Sequence, residues 1–234
     1  MTDTYLWPPP PVPSLPVRGV VQRLPVNRLF FVGRNYAAHA REMGFAVDKA
    51  GETPFYFTKS PQALTPSGAH VPYPPGTHNY HHEMELVVVI GRPGFQVSVE
   101  EAPALIYGYA CGLDMTRRDL QFAARDKGRP WDLGKDAEHA AVVSEVMPMP
   151  GQVLASGAIE LAVNGQVRQR ADLSQLVWSV PELIADLSRF YHLAAGDLLF
   201  TGTPEGVGPV VAGDVLSGRV AGLGEIALTI GPAT

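Results

Sequence analysis

Apolar positions along the chain come in short runs broken by glycine and proline. "RLFFVG" (28–33), "PFYFTKS" (54–60), the run "ELVVVIG" that closes "NYHHEMELVVVIG" (79–91) and "YACGLDM" (109–115) each read as a short strand. "SGAHVPYPPGTHNY" (67–80) reads as a turn-rich loop. "IELAVNGQVRQR" (159–170) is a hairpin turning on Asn164-Gly165. "DLLFTGTPEGVGPV", "DVLSGRV" and "EIALTI" continue the strand pattern toward the C-terminus.

Helical spacing appears in four places. "RNYAAHAREMG" (34–44) reads as a short helix or helical lid closed by Gly44. In "SVEEAPALIYG" (98–108), Ser98 and Glu101 form a capping box for a second helix. Thr116 and Asp119 supply caps for a third, within "RRDLQFAARDKG" (117–128). The strongest pattern is 178–196. Ser179 and Glu182 cap it, Pro181 falls in its first turn, and Leu183, Ile184, Leu187, Phe190 and Tyr191 share one face. The sum is a β-rich α+β domain. Residues 1–17 hold six prolines and read as an extended, polyproline-like arm, either free or packed on a partner subunit. The organisation is an arm over 1–20 followed by one domain over 21–234.

Composition narrows the function classes. A chain of 234 residues with net charge −5 and no long basic run is a poor match to nucleic acid. Its apolar runs are too short to span a bilayer. No basic start followed by a hydrophobic segment opens the chain, so a signal peptide is not expected. The single Cys111 allows no internal disulfide, which fits a reducing, cytoplasmic setting.

Three groups of residues can carry chemistry. Glu83 and Glu85 lie two apart at the mouth of a very apolar strand, so both carboxylates point the same way. Unneutralised, they repel, and one must bind a proton. A divalent cation removes the conflict, and an all-oxygen ligand set suits Mg²⁺, with Mn²⁺ or Ca²⁺ as alternatives. A strand with a wetted polar face explains the same spacing without a metal. Asp114, at the end of its own strand, can supply a third ligand or be an ordinary turn acid. On an extended strand, His81 of the nearby histidines shares the glutamates' face, a thin basis for zinc. His39 and Glu42, three apart on a helix, form a dyad able to take a proton from water, or an exposed surface pair. Lys135 can hold a developing oxyanion or lie on a solvated loop. "TGTPEGVG" (201–208) lacks the Gly-Lys-Ser/Thr of a nucleotide-binding loop; Thr203 can meet a small anion there or sit in a plain turn.

Taken together, "VGRNYAAHAREMG", "HHEMELVVVIG", "GYACGLDMTRRDLQ", "GRPWDLGKD" and "GDLLFTGTPEGVGPV" resemble the fumarylacetoacetate hydrolase family from about Leu29 to Ile230, closest to its acylpyruvate and fumarylpyruvate hydrolases. The resemblance implies a mixed β-sandwich roll with a few short helices, a Mg²⁺ or Mn²⁺ site and a homodimer. It implies a hydrolase that cleaves the carbon–carbon bond of an acylpyruvate, with fumarylpyruvate favoured. The same site can serve an oxaloacetate decarboxylase or keto–enol isomerase, or a non-catalytic keto-acid binding protein. By position, the metal ligands fall on Glu83, Glu85 and Asp114, and the catalytic groups on His39, Glu42 and Lys135. Substrate contacts fall on Arg34, Tyr36, Arg118, Gln121 and Thr203. Gly33 and Gly44 flank the 34–44 segment as hinges of a lid that brings the dyad over the metal. A fumaryl arm needs a further cation, for which Arg34, Arg117 and Arg125 are the candidates.

Overall fold

In the computed structural model, which describes residues 4–233, strand Met84–Ile90 runs inside the largest sheet with all seven residues buried. Alternation divides the strand between two cores. Met84, Leu86, Val88 and Ile90 enter one hydrophobic cluster, and Val87 and Val89 enter another. Burial on both faces explains why this run reads as continuously apolar.

The large sheet has the order Phe55–Lys59, Leu29–Gly33, Leu198–Phe200, Met84–Ile90, Ile106–Asp114, Ala141–Val143, Leu64–Pro66. A second sheet has the order Gln166–Asp172, Ala158–Val163, Val215–Val220, Gly224–Gly231, Ala69–Pro72. Ile159, Leu161, Leu216, Ile226 and Leu228 of the second sheet join the same cluster as Leu86 and Val88, so the two sheets pack face to face. The chain passes from one sheet to the other at Ser67-Gly68, where Gly68 takes φ +87°. A three-stranded sheet sets Tyr80–His82 between Thr116–Arg117 and Gly208–Val210. It carries Glu83, Thr116 and the 201–208 loop to one place.

The mixed β-sandwich with few short helices agrees with the sequence reading, and so does the hairpin: Asn164 (φ +52°) and Gly165 (φ +76°) form its two-residue turn. The helices are shorter than their patterns predict. The first spans only Ala37–Glu42. The Ser98–Glu101 box forms, but a 3₁₀ turn, Ala102–Leu105, follows it in place of a helix. Ile106 already belongs to the nine-residue strand Ile106–Asp114, whose pairing with Met84–Ile90 overrides the local helical signal. Helix Arg118–Arg125 has no side-chain cap. Thr116 donates to Glu83 Oε1 (3.3 Å) instead, and Asp119 accepts from the Thr77 hydroxyl (2.5 Å) and the His78 N–H (3.0 Å). The last helix keeps its Ser179–Glu182 capping box but spans only Val180–Leu187. Phe190 and Tyr191 therefore miss the buried face; they are 64% and 39% exposed.

Ser14–Val17, at the end of the proline-rich stretch, pairs with Val20–Pro25. Leu15 and Val17 cover the second face of the large sheet beside Phe31, Val87 and Phe200. No helix among the described residues is long and apolar enough to cross a membrane.

If this hairpin is integral to the core, Leu15→Ala removes about 2–5 kcal/mol of stability in denaturant unfolding. Val21→Ala, at a position 97% exposed, stays within about 0.5 kcal/mol of the parent.

Candidate active site

The end of the large sheet's second face is polar where the rest is apolar. Glu85 follows the alternation of Val87 and Val89, Asp114 ends the neighbouring strand, and Glu83 immediately precedes Met84–Ile90. Carboxylate oxygens of Glu83, Glu85 and Asp114 lie within 4.8 Å of one another, and all three residues are buried.

Three buried cations meet them. Lys135 Nζ donates to Glu83 Oε2 (2.9 Å), Asp114 Oδ2 (2.6 Å) and Thr116 Oγ1 (2.8 Å). Arg118 pairs with Glu83 Oε1 and donates to Gln121 Oε1 (2.6 Å). Lys59 Nζ lies 2.6 Å from Asp114 Oδ1 and donates to the carbonyls of Met115 (2.9 Å) and Ala140 (2.6 Å). Glu85 has no cation partner among the described residues; its Oε2 accepts the Gly202 N–H at 2.7 Å. Only glycine fits there: the backbone is left-handed (φ +95°), and a Cβ on Gly202 would stand 2.8 Å from Asn35 Cβ.

The pairing splits the acids. Burial opposes ionisation of Glu83, but Lys135 and Arg118 together hold it well below the usual carboxylate range. Burial pushes Glu85 well above that range, and the charges of Asp114 and Glu83 push the same way. A buried acid disfavoured as an anion, beside two others with clustered oxygens, is the arrangement a hard divalent cation relieves. The donor set fits Mg²⁺ or Mn²⁺, held by Glu83, Glu85 and Asp114. Zinc has less support: His82 faces away to Gln169 Oε1 (3.2 Å), and His81 contacts Asn79 Oδ1 (2.8 Å) and Arg118 Nε (3.4 Å).

A cavity opens beside this cluster. Its lining includes Glu83, Glu85, Arg118, Gln121, Lys135 and Thr203, together with His39 and Arg34. His39 is 7% exposed, and its Nδ1 lies 3.2 Å from Glu42 Oε2. A carboxylate only accepts, so Nδ1 carries the hydrogen and Nε2 keeps a lone pair. Burial lowers the imidazole pKa against the opposing charge of Glu83 and the Glu42 hydrogen bond, which favours the neutral, proton-accepting form. Glu42 is itself fixed by the Gly206 N–H, 3.2 Å from each oxygen. The short helix thus lies against the cavity, with His39 in its lining.

Asn35 anchors the start of that segment. Its side chain donates to the carbonyls of Trp178 (3.0 Å) and Thr201 (2.8 Å) and accepts from the Trp178 N–H (2.7 Å). Thr203 accepts from Gln169 Nε2 at 2.8 Å. Tyr36 does not line the cavity; it is buried with its hydroxyl unpartnered, and burial raises its pKa. Asp114 is also set back, fully buried, with cavity-lining Lys135 against it.

Lys59 was not among the residues expected in the site. The signal was present: Phe55, Phe57 and Lys59 share one face of a strand, which places a lysine in an apolar row. The aromatic lining of the cavity, Phe45, Phe55, Phe57, Phe122 and Trp131, comes from four separate segments, so no local pattern in the sequence marks it.

Comparison with known proteins agrees with this geometry. Residues 28–231 match the family described as Fumarylacetoacetate (FAA) hydrolase C-terminal. The chain is 64% identical over 191 residues to a fumarylpyruvate hydrolase of Ralstonia sp, covering 82% of this chain and 100% of that one. It is 40% identical over 197 residues to the mitochondrial oxaloacetate tautomerase FAHD1 of Bos taurus, covering 82% of this chain and 86% of that one. The crystal structure of fumarylpyruvate hydrolase from Pseudomonas aeruginosa in complex with Mn²⁺ and pyruvate superposes with TM-score 0.93 at 46% identity, over 98% of this chain and 100% of that chain. The chain belongs to the fumarylacetoacetate hydrolase family.

Proposed function

We propose that this protein is a metal-dependent hydrolase that splits an acylpyruvate, with fumarylpyruvate as the favoured substrate and fumarate and pyruvate as products. The observation that carries the reading is the shared cavity: a neutral, buried His39 oriented by Glu42 faces the same space as Glu83 and Glu85. Binding a keto acid needs the carboxylate cluster; hydrolysing one also needs a base. The similarity to the Ralstonia enzyme supports the substrate.

A divalent cation held by Glu83, Glu85 and Asp114 would polarise the keto-acid end and stabilise negative charge there. His39 Nε2 takes a proton from water, and Glu42 stabilises the resulting imidazolium. The water oxygen bonds to the acyl carbonyl carbon, and the positive charge of Lys135, which lines the cavity, favours the oxyanion. The bond between that carbon and the pyruvate methylene then breaks, its electron pair leaving as pyruvate enolate. The proton returns to the methylene carbon, giving pyruvate and the free acid. Arg118, fixed against Gln121, contributes positive charge for the pyruvate carboxylate. In this reading the protein works in the cytoplasm as a homodimer with Mg²⁺ or Mn²⁺.

A second reading, an oxaloacetate tautomerase, draws on the relatives at 40% identity. It needs the metal and a proton shuttle but no attacking water. Turnover of fumarylpyruvate, acetylpyruvate and oxaloacetate with and without EDTA separates the two: the hydrolase reading expects fumarate plus pyruvate, lost on chelation. Enolisation of oxaloacetate with no cleavage of either acylpyruvate sinks it. His39→Ala is expected to lower kcat by about 10²–10⁴-fold at unchanged metal content, measured by elemental analysis. Glu85→Ala is expected to lose the metal, and a full complement of bound Mn²⁺ in that variant removes Glu85 from the ligand set.

A further inference from the structure

The cavity holds more positive charge than the carboxylate cluster uses. Glu83, Glu85 and Asp114 contribute three negative charges when ionised, and Lys59, Lys135 and Arg118 contribute three positive ones. Arg34 and Arg125 also line the cavity, and neither pairs with any of those acids. Both are half-buried.

Their placement is specific. The Arg34 guanidinium lies 3.5 Å from the centre of the Phe45 ring and 5.3 Å from that of Phe55. Arg125 lies over Phe122 (4.5 Å) and approaches the same Phe45 ring (6.0 Å). Two like charges therefore converge on one aromatic floor. Arg34 has no ion pair among the described residues; Arg125 has only Asp126, itself 63% exposed. Burial lowers the Arg34 pKa, and the charge of Arg125 lowers it further against the pull of Glu52. The backbone at Arg34 is left-handed (φ +58°), a conformation uncommon for a non-glycine residue, held by the Asn35 anchors. Arg117, the remaining candidate, does not line the cavity; it points at the Leu133 carbonyl (3.4 Å).

We propose that Arg34 and Arg125 form a carboxylate subsite on the floor of Phe45, Phe55 and Phe122 that selects acylpyruvates bearing a second, distal carboxylate. The inference deepens the hydrolase reading and rests on it for the identity of the substrate. One carboxylate between two guanidiniums relieves their repulsion, and the aromatic wall reduces screening of the pair by water. The flat rings also suit a planar, conjugated acyl arm. A substrate with a methyl group at that end gains none of this.

The test compares kcat/KM for fumarylpyruvate and acetylpyruvate in the Mn²⁺-loaded enzyme. In Arg125→Leu, which keeps an apolar side chain on the floor, the fumarylpyruvate-to-acetylpyruvate ratio is expected to fall about 10–100-fold, chiefly through KM for fumarylpyruvate. Arg125→Lys and Arg34→Lys keep the charge but lose the fork, and should give smaller falls. A ratio unmoved in these folded variants, or equal losses on both substrates, overturns the subsite. Calorimetry keeps the question separate from hydrolysis. With oxalate saturating the metal end, fumarate should bind the parent and bind at least about tenfold more weakly to Arg125→Leu. If the parent cleaves neither acylpyruvate but shows this difference, the hydrolase reading fails and the subsite stands. Equal fumarate affinity in parent and variant removes it.

Discussion

Three carboxylates meet three cations in a space nearly closed to water, and the rest of the site is arranged around that balance. Lys59 and Lys135 lie against Asp114, and Lys135 and Arg118 against Glu83. Burying such charges costs several kcal/mol per ion unless partners and hydrogen bonds compensate. Here the carbonyls of Met115 and Ala140 and the hydroxyl of Thr116 take up ammonium hydrogens. The compensation is weakest at Glu85, which has a backbone N–H but no cation partner among the described residues, while at Asp114 burial still pushes the carboxyl up against Lys135 and Lys59. With all three acids ionised the cluster is neutral by count yet uneven in distribution, and the unevenness falls on Glu85, one of the two acids that line the cavity.

The sheet makes this possible. Strand Met84–Ile90 sends one set of side chains into the sandwich and the other against the N-terminal hairpin, so Glu85 inherits a position that farther along belongs to Val87 and Val89. A charge there cannot turn to solvent. The small sheet of Tyr80–His82, Thr116–Arg117 and Gly208–Val210 then closes the end of that face. It brings Thr116 to Glu83 and leads into the loop whose Gly202 and Gly206 hold Glu85 and Glu42. One loop thus fixes both Glu85 and the carboxylate that orients His39.

What could be read from the sequence was what depends on local spacing. Glu83 and Glu85 share a face because they are two apart in extended chain; His39 and Glu42 meet because they are three apart on a helix. Asn164-Gly165 and the Ser179–Glu182 box carry their geometry within four residues. Most of the differences were decided at a distance. Ser98 and Glu101 cap each other as expected, but the next residues pair with Met84–Ile90 and leave no helix. Thr116 has the right chemistry for a cap and spends it on Glu83, thirty-three positions away. Phe190 and Tyr191 extend an amphipathic pattern past Ser188, whose hydroxyl turns back to the Ala185 carbonyl where the helix ends. Lys59 is an ordinary strand-end lysine until Asp114 is placed beside it.

Charge also bears on which chemistry the site favours. With the three acids already matched by three cations, adding a dication leaves the inner end at about two positive charges, a strong attractor for an anionic keto acid. Arg34 and Arg125 add two more at the cavity wall, on aromatic rings that extend the apolar surface beyond the cluster. A compact keto diacid can satisfy the inner charge alone and leaves the outer pair facing each other. On the proposed reading a longer dianion with a flat apolar middle engages both ends, with the carbonyl to be attacked in the cavity that neutral His39 shares with Lys135. Enolisation needs no such reach. The outer arginines, more than the carboxylate cluster common to either chemistry, make cleavage of an extended acylpyruvate the better fit to this chain.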